Sequence, residues 1–269
     1  MKNSAWTRAE RERFRELRRE HDVQAFLDAI PYSPGPTFRS PRQVLRDGIA
    51  NCMEGALFAA AALEWLGHPP VIINLKAVRD DDHVIAVFRR KGRVGAIAKS
   101  NFSGLRWRSP VYATVRELAL SYFDHFYNVD RELTMRGWTR PLDLRSRAFR
   151  DWRTRKADLD DLADHLDALP WTRAIDGSDR WLPRVDLRLY HAPINAASTI
   201  RLPTVDRAGA PSHFAPSASV PRPGATPADS LSPKAACAAG PSPGVRHARS
   251  ASTRTRARGQ CRESPGSCS

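Results

Sequence analysis

"GIANCMEGALFAAAALEWLGHPPVIINLKAV", residues 48–78, sets a helix against a strand, with one cysteine where the helix begins. Cys52 follows a short polar turn shaped by Gly48 and Asn51. Apolar, alanine-rich sequence then runs to about Leu66. Gly67 is a favourable helix stop, and Pro69 and Pro70 prevent continuation. Gly55, Ala56 and Ala59 to Ala62 are small, so other elements can approach this helix closely and it should be central and buried. "VIINLKAV" (71–78) is apolar and β-branched, which predicts a strand.

Working outward, "HVIAVFRR" (83–90) and "RVGAIAKS" (93–100) read as two further strands joined by the tight turn Lys91-Gly92. Upstream, residues 5–29 carry helical spacing, with Thr7 and Glu10 forming a capping box and a break near His21. Pro31, Pro34, Pro36 and Pro41 enforce a loop, and residues 41–47 suit a short helix. Downstream, helices are expected over 113–127 and 157–169. Trp138, Trp152, Trp171 and Trp181 punctuate that region and should pack it back on the core. Beyond about residue 200 the composition turns to Pro, Ser, Ala, Gly and Arg and loses periodicity, which predicts disorder. The expectation is an α+β fold: a central cysteine-bearing helix on a small antiparallel sheet, extra helices after it, and a disordered C-terminal tail. Its divisions are an N-terminal helix (1–30), an α+β domain (31–200) and the tail (201–269).

Composition narrows the function classes. No run of apolar residues is long enough for a membrane span, and the charged first twenty residues lack the apolar stretch of a secretory leader. A cytoplasmic protein with no membrane partner is therefore expected. The formal net charge is +14, of which residues 203–269 supply +6. No recognisable nucleic-acid module accompanies it, so nucleic acid is expected only as a nonspecific contact of the basic tail. Three of the four cysteines (Cys237, Cys261, Cys268) lie in that tail, and no Cys/His spacing suggests a metal.

Cys52 is thus effectively alone. A thiol nucleophile needs a lowered pKa, which a helix N-terminus promotes. It also needs a base, and the base needs an orienting partner. Of the eight histidines, His83 alone stands at a strand mouth, beside Asp80, Asp81 and Asp82. Opposed residues of a hairpin share a face and their numbers sum to a constant. A two-residue loop places Ser100 opposite His83; a three-residue loop places Asn101 there. Either side chain could hold the ring.

The order Cys52, His83, then Ser100 or Asn101 resembles the transglutaminase-like members of the papain-type cysteine enzymes. "NCMEGALFAAAALEWLGHPPVIINLKAV" is similar to their cysteine helix leading into a strand. "DDHVIAVFRRKGRVGAIAKSN" is similar to their histidine hairpin. The likeness covers about residues 30–130. It departs where the family carries an Asp as third member and an aromatic residue before that strand's end. It implies catalytic roles for Cys52, His83 and Asn101 or Ser100. The activity implied is amide or peptide hydrolysis, or acyl transfer, on a peptide or protein substrate through a thiol acyl-enzyme, with no cofactor. The alternative is an inactive relative that binds a peptide or protein in the old cleft. Glu54 and Trp107 are the substrate-binding candidates, and Gln43 is a candidate oxyanion donor by residue type.

Overall fold

The computed structural model describes residues 6–191. The chain opens with α1 (Arg8–Glu16), α2 (Glu20–Ala29), α3 (Pro41–Asp47) and α4 (Cys52–Trp65). Three strands follow: β1 (Val71–Ala77), β2 (His83–Arg90) and β3 (Arg93–Ile97). Then come β4 (Arg108–Tyr112), α5 (Val115–Leu120), β5 (Met135–Thr139), β6 (Leu142–Asp143), α6 (Asp160–Asp167) and β7 (Trp171–Arg173). The architecture is α+β around an antiparallel sheet in the order β4-β3-β2-β1-β5-β7, with β6 also paired to β1.

Strand alternation divides the core into two layers. On one face Ile72, Val84, Ala86, Phe88 and Ile97 pack with Phe14, Val23, Leu27 and α4. On the other, Ile73, Leu75, Ile85, Val87, Val94 and Ala96 pack with Leu105, Leu118, Tyr122 and Phe126. α4 is buried from Met53 through Glu64, as an alanine-rich helix with no polar face must be. Phe58 on α4 stacks on Phe26 at 4.6 Å and on Phe14 at 5.8 Å, which joins the N-terminal helices to this layer.

The central hairpin forms as the sequence predicts. Lys91 and Gly92 both take positive φ, the requirement of a two-residue turn, and Arg90 opposes Arg93. The ladder stops at Ala86↔Ile97, however, so the third strand is shorter than the predicted 93–100. Buried Gln24 on α2 takes its place: its Oε1 accepts from Ala98 N–H at 3.1 Å and its Nε2 donates to Ala98 C=O at 2.9 Å. A side chain thereby satisfies the backbone that would otherwise continue the ladder.

Other differences have equally local causes. The predicted 5–29 helix is two helices, and the break precedes His21, because the Asp22 carboxylate accepts from the N–H groups of Arg18 and Arg19 and starts α2 there. The predicted 113–127 helix ends at Leu120; the Ser121 hydroxyl donates to Leu118 C=O at 2.6 Å and the chain tightens into a 3-10 turn at Phe123–His125. β4, β5, β6 and β7 are additions to the three-stranded sheet expected. Trp138 and Trp152 are buried as expected, whereas Trp171 and Trp181 are exposed. The expectation for the tail falls outside the described residues.

Candidate active site around Cys52

Cys52 is the first residue of α4, and the turn before it is locked. Asn51 is the N-cap: its Oδ1 accepts from Glu54 N–H at 3.0 Å, and Glu54 Oε2 accepts from Asn51 N–H at 2.9 Å. The Asn51 amide also donates to Thr37 C=O at 2.7 Å. Glu54 is fully buried, and its Oε1 accepts from the Thr37 hydroxyl (2.8 Å), Arg39 N–H (3.0 Å) and the Arg39 guanidinium (3.0 Å). Glu54 is therefore a structural anion that ties the Pro-rich loop to the helix start. With no exposed surface it does not line a substrate cleft. Gln43 is likewise spent locally, accepting from Ser40 and donating to Lys156 C=O, and is not an oxyanion donor.

The sulfur lies against both peptide groups that flank His83. The thiol points at Asp82 C=O over a long 4.0 Å, and the Val84 N–H faces the sulfur and favours its ionised form. Because the β2–β3 ladder ends at Ala86, that N–H is not spent on β3. The Tyr32 hydroxyl and the Met53 N–H also face the sulfur and favour its ionised form. Tyr32 is held there by a parallel bridge to Ala50, with Ser33 N–H donating to Ala50 C=O at 3.0 Å. Cys52 keeps some surface, but the surrounding protein desolvates it. Burial pushes the Cys52 thiol up, and the Val84, Tyr32 and Met53 donors offset this only in part. A helix-start thiolate was the expectation; the crowding of the sulfur reverses the sign.

The loop that delivers His83 is fixed by Asp82, whose carboxylate accepts from Ala77 N–H (2.8 Å) and Asn74 Nδ2 (3.0 Å) and pairs with Lys76. His83 itself is buried. Its parity is that of Ile85 and Val87, so the imidazole enters the second layer, edge-on to Tyr122 and Phe126 at 6.5 and 6.3 Å. There its Nε2 lies 2.8 Å from Leu105 C=O. A carbonyl only accepts, so the proton sits on Nε2 and Nδ1 of the neutral ring carries the lone pair.

Leu105 ends the 3-10 turn Ser103–Leu105 and was not a sequence candidate. The two residues that were lie in the turn leaving β3. The Ser100 hydroxyl accepts from Phe102 N–H at 3.0 Å, so it caps that turn. Asn101 is half-buried beside it. Trp107 sits elsewhere: its ring lies 5.5 Å from Phe88 and 5.4 Å from His21, and Phe88 is five residues along β2 from His83, roughly 16 Å at strand rise. Trp107 clamps its loop on the helical layer and does not line the thiol.

Tyr32, Val84 N–H and Leu105 C=O are the functional groups that sequence reading missed. Two are main-chain atoms with no residue-type signature. Tyr32 reaches the site only because a tertiary bridge brings its loop beside Ala50. Among the described residues no His/Cys/Asp/Glu cluster could hold a metal ion, and no helix is long and apolar enough to cross a membrane. No family model and no curated protein matches the chain.

Proposed function

We propose that this chain is a transglutaminase-like thiol enzyme that cleaves or transfers acyl groups of peptide or protein substrates. Cys52 Sγ attacks an amide or thioester carbonyl carbon while its proton passes to His83 Nδ1. The developing oxyanion is met by the first-turn N–H groups of Cys52 and Met53 and by the Tyr32 hydroxyl. His83 then protonates the leaving amine or thiol, and a thioester remains on Cys52. Water or an amine gives its proton to His83 and releases the acyl group, and the proton returns to sulfur. With a raised thiol pKa, His83 acts as a general base during attack rather than as one half of a resting ion pair. A thiol used this way must stay reduced, which fits a cytoplasmic location.

One observation carries this reading: the sulfur rests on the two peptide groups that bracket His83, whose ring is set by the Leu105 carbonyl. The test is reaction with 4-nitrophenyl acetate. A burst of nitrophenolate equal to the protein concentration, with one acetyl group mapped to Cys52 by mass spectrometry, is expected. Cys52→Ser should abolish both, and His83→Ala should slow acylation by about 10²- to 10⁴-fold. The desolvation of Cys52 favours a second reading, a non-catalytic module that binds a peptide or protein. That reading predicts no burst and the same labelling in the His83 variant.

A further inference from the structure

The tip of the β2–β3 hairpin stands clear of the body: a Cβ added at Gly92 would meet nothing within 4 Å. Arg89, Arg90, Lys91 and Arg93 are all exposed there, with no carboxylate among them. Arg90 and Arg93 oppose each other, so they share the face on which α2 packs. Arg90 reaches Glu20 at 3.0 Å, which brings the start of α2 to the tip, with Arg18 and Arg19 just before it. The acids of this surface are already spent. Glu20 is buried and also lies 3.1 Å from His68. Asp22 accepts from the N–H groups of Arg18 and Arg19 and pairs with the Arg19 guanidinium at 3.6 Å. Among the described residues Arg18, Arg89, Lys91 and Arg93 pair with no carboxylate. Six cations against two carboxylates leave residues 18–22 and 89–93 with a formal +4. Beside them the exposed His21 ring stands edge-on to Trp107 at 5.4 Å, and Trp107 lies 5.5 Å from Phe88, so the imidazole is an aromatic surface with a firm backing. None of the large apolar side chains exposed among the described residues, such as Val111 and Trp181, is on the tip or at the start of α2. A bilayer or a protein partner calls for such apolar anchors. Closely set guanidiniums beside an aromatic ring suit phosphates and unstacked bases instead.

We propose that this surface binds single-stranded nucleic acid: the cations of the hairpin tip and of Arg18 and Arg19 take backbone phosphates, and a base stacks on His21. The tip at Arg90 is seven residues along β2 from His83, roughly 23 Å at strand rise. The site is therefore separate from the thiol and stands or falls without the acyl-transfer reading.

The experiment is fluorescence anisotropy of a labelled oligouridylate of about 20 nucleotides with the full chain, between about 50 and 200 mM salt. Thermal unfolding checks the fold of each variant. Arg89→Gln with Arg93→Gln should weaken binding about tenfold near 150 mM salt, and should lower the slope of log affinity against log salt by about 1.4, the share of two phosphates on a single strand. Arg140→Gln with Arg150→Gln removes the same charge at exposed positions elsewhere and should change affinity by less than about twofold, because distant charges are screened. The basic tail is the same in every variant, so its attraction cancels. His21→Ala should weaken binding about fivefold or more with the slope unchanged, because it removes a stacking surface and no charge. Equal losses from the two double variants would assign binding to overall charge. Tip-dependent binding to phosphatidylserine vesicles but not to the oligonucleotide would make this a membrane surface. Unchanged affinity in His21→Ala would remove the base contact. Each of these results overturns the proposal, as does an oligonucleotide that fails to bind at the lowest salt.

Discussion

His83 donates its Nε2–H to the carbonyl of Leu105 over 2.8 Å, so a main-chain atom that the sequence did not single out holds that side of the imidazole. The consequence for Ser100 is specific. Ser100→Ala removes the acceptor of Phe102 N–H and should cost about 1 kcal/mol in urea unfolding, with the 4-nitrophenyl acetate burst rate left near wild type. A fall as large as that of His83→Ala would mean that Ser100 orients the ring after all.

Glu54→Ala leaves the Arg39 guanidinium and the N–H groups of Arg39 and Asn51 without their shared acceptor. Removing one partner of a buried ion pair costs about 3–5 kcal/mol, and denaturant titration should show a loss of that size. A loss below about 1 kcal/mol would place Glu54 among exposed pairs.

Gly55→Ala would drive a methyl into the Lys99 stem, where one of the two must shift. Overpacking of this kind costs about 1–3 kcal/mol. A crystal structure of the variant should show the Lys99 segment displaced from α4; an unmoved segment with unchanged stability would contradict the contact.

Burial holds the Cys52 thiol above its ordinary value of 9.0. The native protein therefore keeps the thiol proton to higher pH than the unfolded chain. That contribution to stability is fully present below the unfolded pKa and is lost as pH rises through the folded one. Alkylation by iodoacetamide should reach its midpoint at higher pH in the native protein than in urea. Coincident profiles would remove the desolvation argument.

Lys99 has the opposite sign. Burial, helped by Arg106, brings it from 10.5 down to about 8. Between these values the unfolded chain binds a proton that the native chain has shed, so this group makes stability rise with pH from about 8 toward 10.5. The stability difference between wild type and Lys99→Met should grow in favour of wild type across that window. Cys52 is present in both and cancels. A difference independent of pH would mean that Lys99 stays charged throughout.

The amino-acid sequence by itself determined the elements whose signals are local. Thr7 and Glu10 form the capping box their spacing announces, Lys91-Gly92 turns the hairpin, and Arg90↔Arg93 sets its register. Cys52 opens α4 because Asn51 and Glu54 can cap it reciprocally. Tertiary structure decided what those elements do to each other. Gln24, far away in sequence, ends β3 by taking both backbone groups of Ala98, which withdraws the predicted partners from the His83 ladder. Leu105 C=O and Val84 N–H then serve the ring and the sulfur, and any residue type would supply those atoms. The thiol's pKa follows its neighbours in space rather than its place at a helix start: desolvation by the surrounding layers outweighs the helix N-terminus, and only the packed chain makes that balance.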